Sequence, residues 1–167
     1  RGVRCLVCGA VRARAGWSRE AVGVGRLLGS RRVGPEVGGR LALMVLSEAR
    51  GAARTGDAGG PVLLDGQDRS RWDRALIAEG ENLVEQALRS RRFGPYSLQA
   101  AIAAVHAEAE RSEDTDWEQI VGLYDVLLRA APSPVIALNR SVAVAMRDGP
   151  QAGLVLIDEL LSGGELN

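Results

Sequence analysis

Few residues in this chain are equipped for chemistry. Cys5 and Cys8 stand in a Cys-x-x-Cys spacing, which elsewhere holds a metal ion or cycles between dithiol and disulfide. A structural zinc site needs four ligands, however, and His106, the only histidine, cannot complete the set beside two thiolates. No thioredoxin-like strand and helix pattern surrounds the pair either. His106 has no nucleophile or acid in register with it, so it is read as a packing histidine. Glu108, Glu110, Glu113, Asp114, Asp116 and Glu118 crowd one connection without the glycine and spacing of a calcium loop. Carboxylates before a helix are expected anyway, since they favour the positive end of its dipole. Gly23-Val24-Gly25 begins like a dinucleotide fingerprint, but the next glycine, Gly29, falls one place late and no strand precedes it. The chain is therefore read as no enzyme, with neither cofactor nor metal.

What remains is recognition. The cluster Gln67 to Asp73, QDRSRWD, packs charge around one tryptophan. It reads as a capped helix start with ion pairs along it, or as a contact for a ligand or partner. The candidate partner-binding residues are polar ones flanking the apolar stripes: Arg69, Arg71, Asp73, His106 and Arg140.

The elements that must position them are helices. Apolar residues recur at helical spacing, with punctuation at nearly every end. The pattern predicts helices over residues 18–28, 36–54, 69–90, 95–111, 116–130, 134–147 and 151–161. Ser18 and Asp68 read as caps, Pro95 and Pro134 as first helical residues, and Thr115 with Glu118 as a capping box. Gly80, inside the third helix, costs about 1 kcal/mol against alanine and implies close approach by a neighbour. The expected core holds Trp72, Leu76, Leu98, Ile102, Trp117, Ile120, Tyr124, Leu138, Val142 and Ile157. Residues 55–66, TGDAGGPVLLDG, form a glycine-rich break, and residues 1–17 carry no sustained periodicity and stay unassigned.

Charge and composition narrow the function classes. The 167 residues carry no net charge, and all 21 basic residues are arginine. Residues 1–40 hold nine Arg against Glu20 and Glu36, a balance of +7, and the remainder stands at −7. An acidic body argues against gripping a phosphate backbone. No apolar run approaches the roughly 18 residues of a membrane span. The weak signal-peptide character of Arg1 to Ala15 is broken by Arg12. The absence of a disulfide framework fits a reducing compartment, hence a cytoplasmic protein, and the missing initiator methionine suggests a fragment of something longer.

Helix starts near 116 and 150 differ by about 34 residues, the tetratricopeptide period, and Trp117 and Tyr124 stand seven apart as the first-helix aromatics of that repeat do. The expected fold is all-α, with antiparallel helix pairs stacked as a tetratricopeptide-like right-handed solenoid or bundle over residues 18–167.

Long blocks then recur in one order: LALMVLSEARGAAR (Leu41 to Arg54), LLDGQDRSRWDRALIAEG (Leu63 to Gly80), Gly94-Pro95-Tyr96 through AAIAAVHAEA, then DTDW, APSPVIALNRSVAVAM and DGP. From about Ser18 to Leu161 these resemble the extracytoplasmic-function sigma factors whose class carries a tetratricopeptide-like C-terminal extension. The resemblance implies a regulatory or partner-binding extension acting in promoter-specific transcription initiation, with the two promoter-reading domains lying outside these residues. It implies core RNA polymerase, the factor's own N-terminal domains or an unidentified regulatory protein as partner, without direct DNA contact. The alternative is a free-standing helical-repeat adaptor unrelated to transcription.

Overall fold

The computed structural model describes residues 22, 23, 25, 26, 34–55 and 60–164. It is all helical: α1 (Pro35–Ala49), α2 (Arg74–Arg89), α3 (Pro95–Glu108), α4 (Trp117–Ala130), α5 (Pro134–Asp148) and α6 (Pro150–Ser162). Among the described residues the only strand-like pairing is an isolated bridge between Thr55 and Pro61. The segment 1–17, with Cys5 and Cys8, and the Ser18 cap lie outside the described residues. Of the expected first helix, residues 22, 23, 25 and 26 are helical where described. Val22 packs against Leu41 and Val45, and Arg26 pairs with Glu79 at 2.6 Å.

Each helix start has one of two local causes. Pro35, Pro95, Pro134 and Pro150 occupy first-turn positions, where a missing N–H costs nothing. Asp73 and Asp116 cap α2 and α4 with their carboxylates. This corrects two expectations. Asp68 caps a short 3₁₀ turn, Arg69–Arg71, and the long helix begins only at Arg74. Asp116, not Thr115, accepts from the N–H of Gln119, while the Thr115 hydroxyl faces Arg69. The expected helices 36–54 and 95–111 also end early, at Ala49 and Glu108. Beyond Ala49 the chain tightens into a 3₁₀ turn, Gly51–Ala53, and beyond Glu108 it becomes extended at Ala109.

The stack is built around α3. Each helix packs on its successor, and α1 also packs on α3. From α2 onward, short connections make successive helices fold back on one another. Ten residues of α3, from Ser97 to Ala107, are buried. Ala100, Ala101, Ala103, Ala104 and Ala107 face a core with Ala42, Leu46 and Trp72, while Leu98, Ile102 and Val105 face a second core with Ile120, Tyr124 and Leu127. The alanine side lets α1 and α2 approach closely. A Cβ on Gly39 would stand 2.6 Å from the Ser97 backbone, and one on Gly80 would stand 2.5 Å from the Leu46 side chain.

Two long-range side chains cap this central helix. The Glu36 carboxylate, in the first turn of α1, accepts from the N–H groups of Gly94 (2.7 Å), Tyr96 (3.1 Å) and Ser97 (3.2 Å). At the other end, Arg69 Nη1 donates to the carbonyls of His106 and Ala109, both at 2.7 Å. Anion at the N-terminus and cation at the C-terminus both complement the helix dipole. Burial pushes the Glu36 carboxyl up, but the Ser97 hydroxyl and the three backbone N–H groups together hold it below its ordinary range.

The outer helices depart from expectation. Trp72, Leu98, Ile102, Ile120 and Tyr124 are core residues, but Leu76, Trp117, Leu138, Val142 and Ile157 are only half-buried. In α5 the buried residues are Asn139, Ser141, Ala143 and Val144, leaving Val135 and Met146 exposed. In α6 only Gly153 is buried, and Leu154 and Leu161 are exposed. A Cβ on Gly153 would stand 2.7 Å from the Ser141 carbonyl, so backbone proximity rather than a leucine stripe joins α6 to α5.

Candidate functional site

The Gln67–Asp73 segment divides into a buried and an exposed half. Asp68 Oδ1 accepts from the N–H and hydroxyl of Ser70, and Asp73 Oδ1 accepts from the N–H groups of Ala75 and Leu76. These two turns aim Arg69 and Trp72 inward and leave Arg71 and Asp73 in solvent. The guanidinium of Arg69 lies 4.8 Å from the Trp72 ring centroid, and that of Arg50 lies 6.0 Å from it. His106 turns its ring edge to Trp117 at 5.2 Å. Burial lowers the His106 pKa to about 4, helped by the nearby Arg50 and Arg69 charges, so the ring is neutral at pH 7. Burial likewise lowers the Arg69 pKa.

The five candidate contacts therefore separate. Arg69 and His106 are buried at 7% exposure each: His106 packs in the interior as a packing histidine does, and Arg69 is corrected from a partner contact to an interior residue. The physical reason is the C-terminus of α3: its last carbonyls need a donor, and Arg69 supplies one by entering the core. Arg71 and Asp73 are exposed, with Asp73 committed to capping α2. Arg140 is half-buried on α5, its Nε donating to Asp125 Oδ1 at 2.6 Å. It lines a shallow groove of about 220 Å³ with Leu128, Leu156 and Glu159.

A larger groove, of about 510 Å³, runs between α2, α3 and α4. Its α2 wall presents Ala78, Glu81, Asn82 and Glu85, and its α3 wall presents Ala101, Ala104, Val105 and Glu108. Both sets follow the i, i+3, i+4, i+7 pattern of one helix face. Leu88 and Leu123 narrow it, and Gln119 reaches it from α4. Three carboxylates and no cationic side chain line this space. Burial raises the Glu81 pKa, the Glu108 charge raises it further, and Arg74 offsets part of this. Among the described residues no ion pair satisfies Glu81 or Glu108. Single-helix stripes do not reveal this groove, because its walls come from three helices. The signal was the shared face of small residues on α3 opposite paired acids on α2.

Among the described residues no cluster of His, Cys, Asp and Glu could hold a metal ion, and no helix is long and apolar enough to cross a membrane. The arrangement offers two open grooves lined by apolar and polar side chains. It contains no paired nucleophile and base aimed at a common point in either groove.

No solved structure matches the chain. A curated relative, the uncharacterized protein R00370 of Rhizobium meliloti (strain 1021), is 51% identical over 126 residues, which cover 75% of this chain and 30% of that protein. The chain thus spans under a third of the length of the relative it matches. The model of a family of unknown function (DUF6596) matches residues 7–88, so the similarity takes in α1, the capped turn at Asp68 and nearly all of α2.

Proposed function

We propose that this chain is the C-terminal regulatory extension of a bacterial sigma factor of the extracytoplasmic-function type, working as a helical partner-binding module in the cytoplasm. It holds or releases the promoter-reading domains, or docks on core RNA polymerase. It performs no chemistry and needs no cofactor. The observation that carries the binding role is the 510 Å³ groove between α2, α3 and α4, open and lined by apolar and acidic side chains. The sigma-factor assignment is supported by the long blocks from Leu41 to Pro150, and is compatible with a match to 30% of a longer protein. The carboxylate lining disfavours DNA as the direct ligand, because phosphate and carboxylate repel.

Transcription in vitro tests this reading. The longer factor, its truncation before Ser18, and a variant with Glu81 and Glu108 of the groove changed to glutamine are compared on the same promoter. The expectation is a changed rate or altered salt dependence on truncation. Unchanged promoter-specific transcription in both respects removes the control-module reading. A start codon just before Arg1 in the coding sequence would instead favour the free-standing adaptor.

A further inference from the structure

We propose that the groove between α2, α3 and α4 receives an amphipathic helix from a protein partner, with an apolar stripe on its inner face and Arg or Lys on its flanks. The inference rests on the groove-binding reading above, but not on the assignment to a sigma factor.

Charge complementarity selects this occupant. Glu81, Glu85 and Glu108 face the groove and no basic side chain lines it. Glu85 has an internal partner in Arg89, whereas Glu81 and Glu108 have no ion pair among the described residues. Glu81 is half-buried, and it lies within electrostatic reach of Glu108, whose repulsion Arg74 offsets only in part. Two like charges on facing helices repel, and a cation placed between them relieves both the repulsion and the desolvation.

Shape selects a helix. The floor is made of Ala101 and Ala104, small enough to admit large side chains from above, and Leu88 and Leu123 stand partly exposed at the sides. A volume near 510 Å³ holds a few anchoring side chains rather than a folded surface. An incoming helix presents such anchors at i, i+3, i+4 and i+7, with its flanking residues placed to meet the acidic rim. Nucleic acid is disfavoured because its phosphates would meet three carboxylates.

The test is fluorescence anisotropy with the full 167-residue chain and a labelled peptide of roughly 18 residues, long enough for five helical turns. The peptide carries leucine on one stripe and arginine on both flanks. A permuted peptide of equal composition has no stripe, and a third replaces arginine with glutamate. The expected result is saturable binding of the first peptide that weakens with salt, with each control at least about tenfold weaker. Glu81→Arg with Glu108→Arg should lose at least about tenfold, and Glu81→Gln with Glu108→Gln should lose less. The neutral pair keeps the question answerable if the reversed pair does not fold, as circular dichroism will reveal. Equal binding by the permuted peptide, by the glutamate peptide or by the neutral pair overturns the proposal, and so does a failure to saturate. Should the peptide result hold while transcription ignores the same substitutions in the longer factor, the groove stands and the sigma-factor reading falls.

Discussion

Glu36 Oε1 accepts hydrogen bonds from both the hydroxyl (2.7 Å) and the backbone N–H (3.2 Å) of Ser97, a residue 61 positions away. The first turn of α1 thereby supplies the N-terminal cap that α3, which starts Gly94-Pro95, lacks locally. Glu36→Ala should cost about 1–2 kcal/mol in urea melts at pH 7, as loss of a helix cap does. Glu36→Gln supplies the pH signature. The folded pKa is lowered, so the carboxylate's contribution is present above the unfolded value of 4.5 and lost as pH falls through the folded one. The acid limb below pH 4.5 should be flatter in the Gln variant, and identical limbs would show that Glu36 is not the cap.

The opposite end of α3 makes a parallel prediction. Arg69 Nη1 reaches two carbonyls and the guanidinium lies over Trp72, so Arg69→Met should cost about 2 kcal/mol and alter the near-ultraviolet circular dichroism of the tryptophans. Arg69→Lys should recover only part, since an ammonium lacks the planar fork. The two ends of a helix of 14 residues are about 20 Å apart, so the Glu36 and Arg69 effects should add within about 0.5 kcal/mol. Strong coupling in the double variant would mean that α3 is lost as a whole.

Three glycines separate packing from propensity. Nothing lies within 4 Å of a Cβ on Gly38, so Gly38→Ala should stabilise α1 by about 0.5–1 kcal/mol. At Gly80 the obstacle is the Leu46 side chain, which can shift, so the alanine variant gains propensity and loses packing. At Gly39 the obstacle is the Ser97 backbone, which cannot shift without parting α1 from α3. The expected order of stability is therefore Gly38→Ala, then Gly80→Ala, then Gly39→Ala, the last costing at least about 2 kcal/mol. Thermal melts in which Gly39→Ala equals wild type would contradict the α1–α3 packing.

How much of this was legible depended on sequence distance. Local signals read well: proline at the first helical position foretold the starts of α3 and α5, Asp148-Gly149-Pro150 marked the α5–α6 break, and Gly80 foretold a close neighbour. Gly149 is the only residue between those two helices, and its φ of 102° suits glycine alone. Long-range partners were not legible. The caps on α3 come from residues 36 and 69, and no window around residues 94–109 contains them. The stripe rule also failed where it was least constrained. α6 packs mainly on α5, so spacing alone did not decide which leucines would be covered. For the candidate site, a polar residue flanking a stripe can face either way: Arg69 is interior because a helix C-terminus draws it in, while His106 packs inside, as its lack of a partner in register implies.

The last prediction concerns His106. Its ring is buried beside Arg50 and Arg69 and against Trp117, and its pKa falls from 6.5 to about 4. In the unfolded chain the imidazole takes a proton near pH 6.5, whereas in the folded chain it resists until about pH 4. Between those values the unfolded state binds the extra proton, so stability falls as pH falls, and above pH 6.5 the residue contributes no pH dependence. A shift of that size corresponds to about 3 kcal/mol across the window. Urea melts at pH 7, 6, 5 and 4 should show that loss in the wild type and a markedly shallower slope in His106→Gln. The slope is the readout, because the substitution itself also changes packing against Trp117. Glu36 titrates below pH 4.5, and Glu81, whose pKa is raised above 4.5, changes stability in the opposite direction, so the difference between wild type and His106→Gln isolates the histidine's share. Parallel slopes in the two proteins would place His106 in contact with water, and would remove the closed junction of Arg69, Trp72 and α3 on which its burial depends.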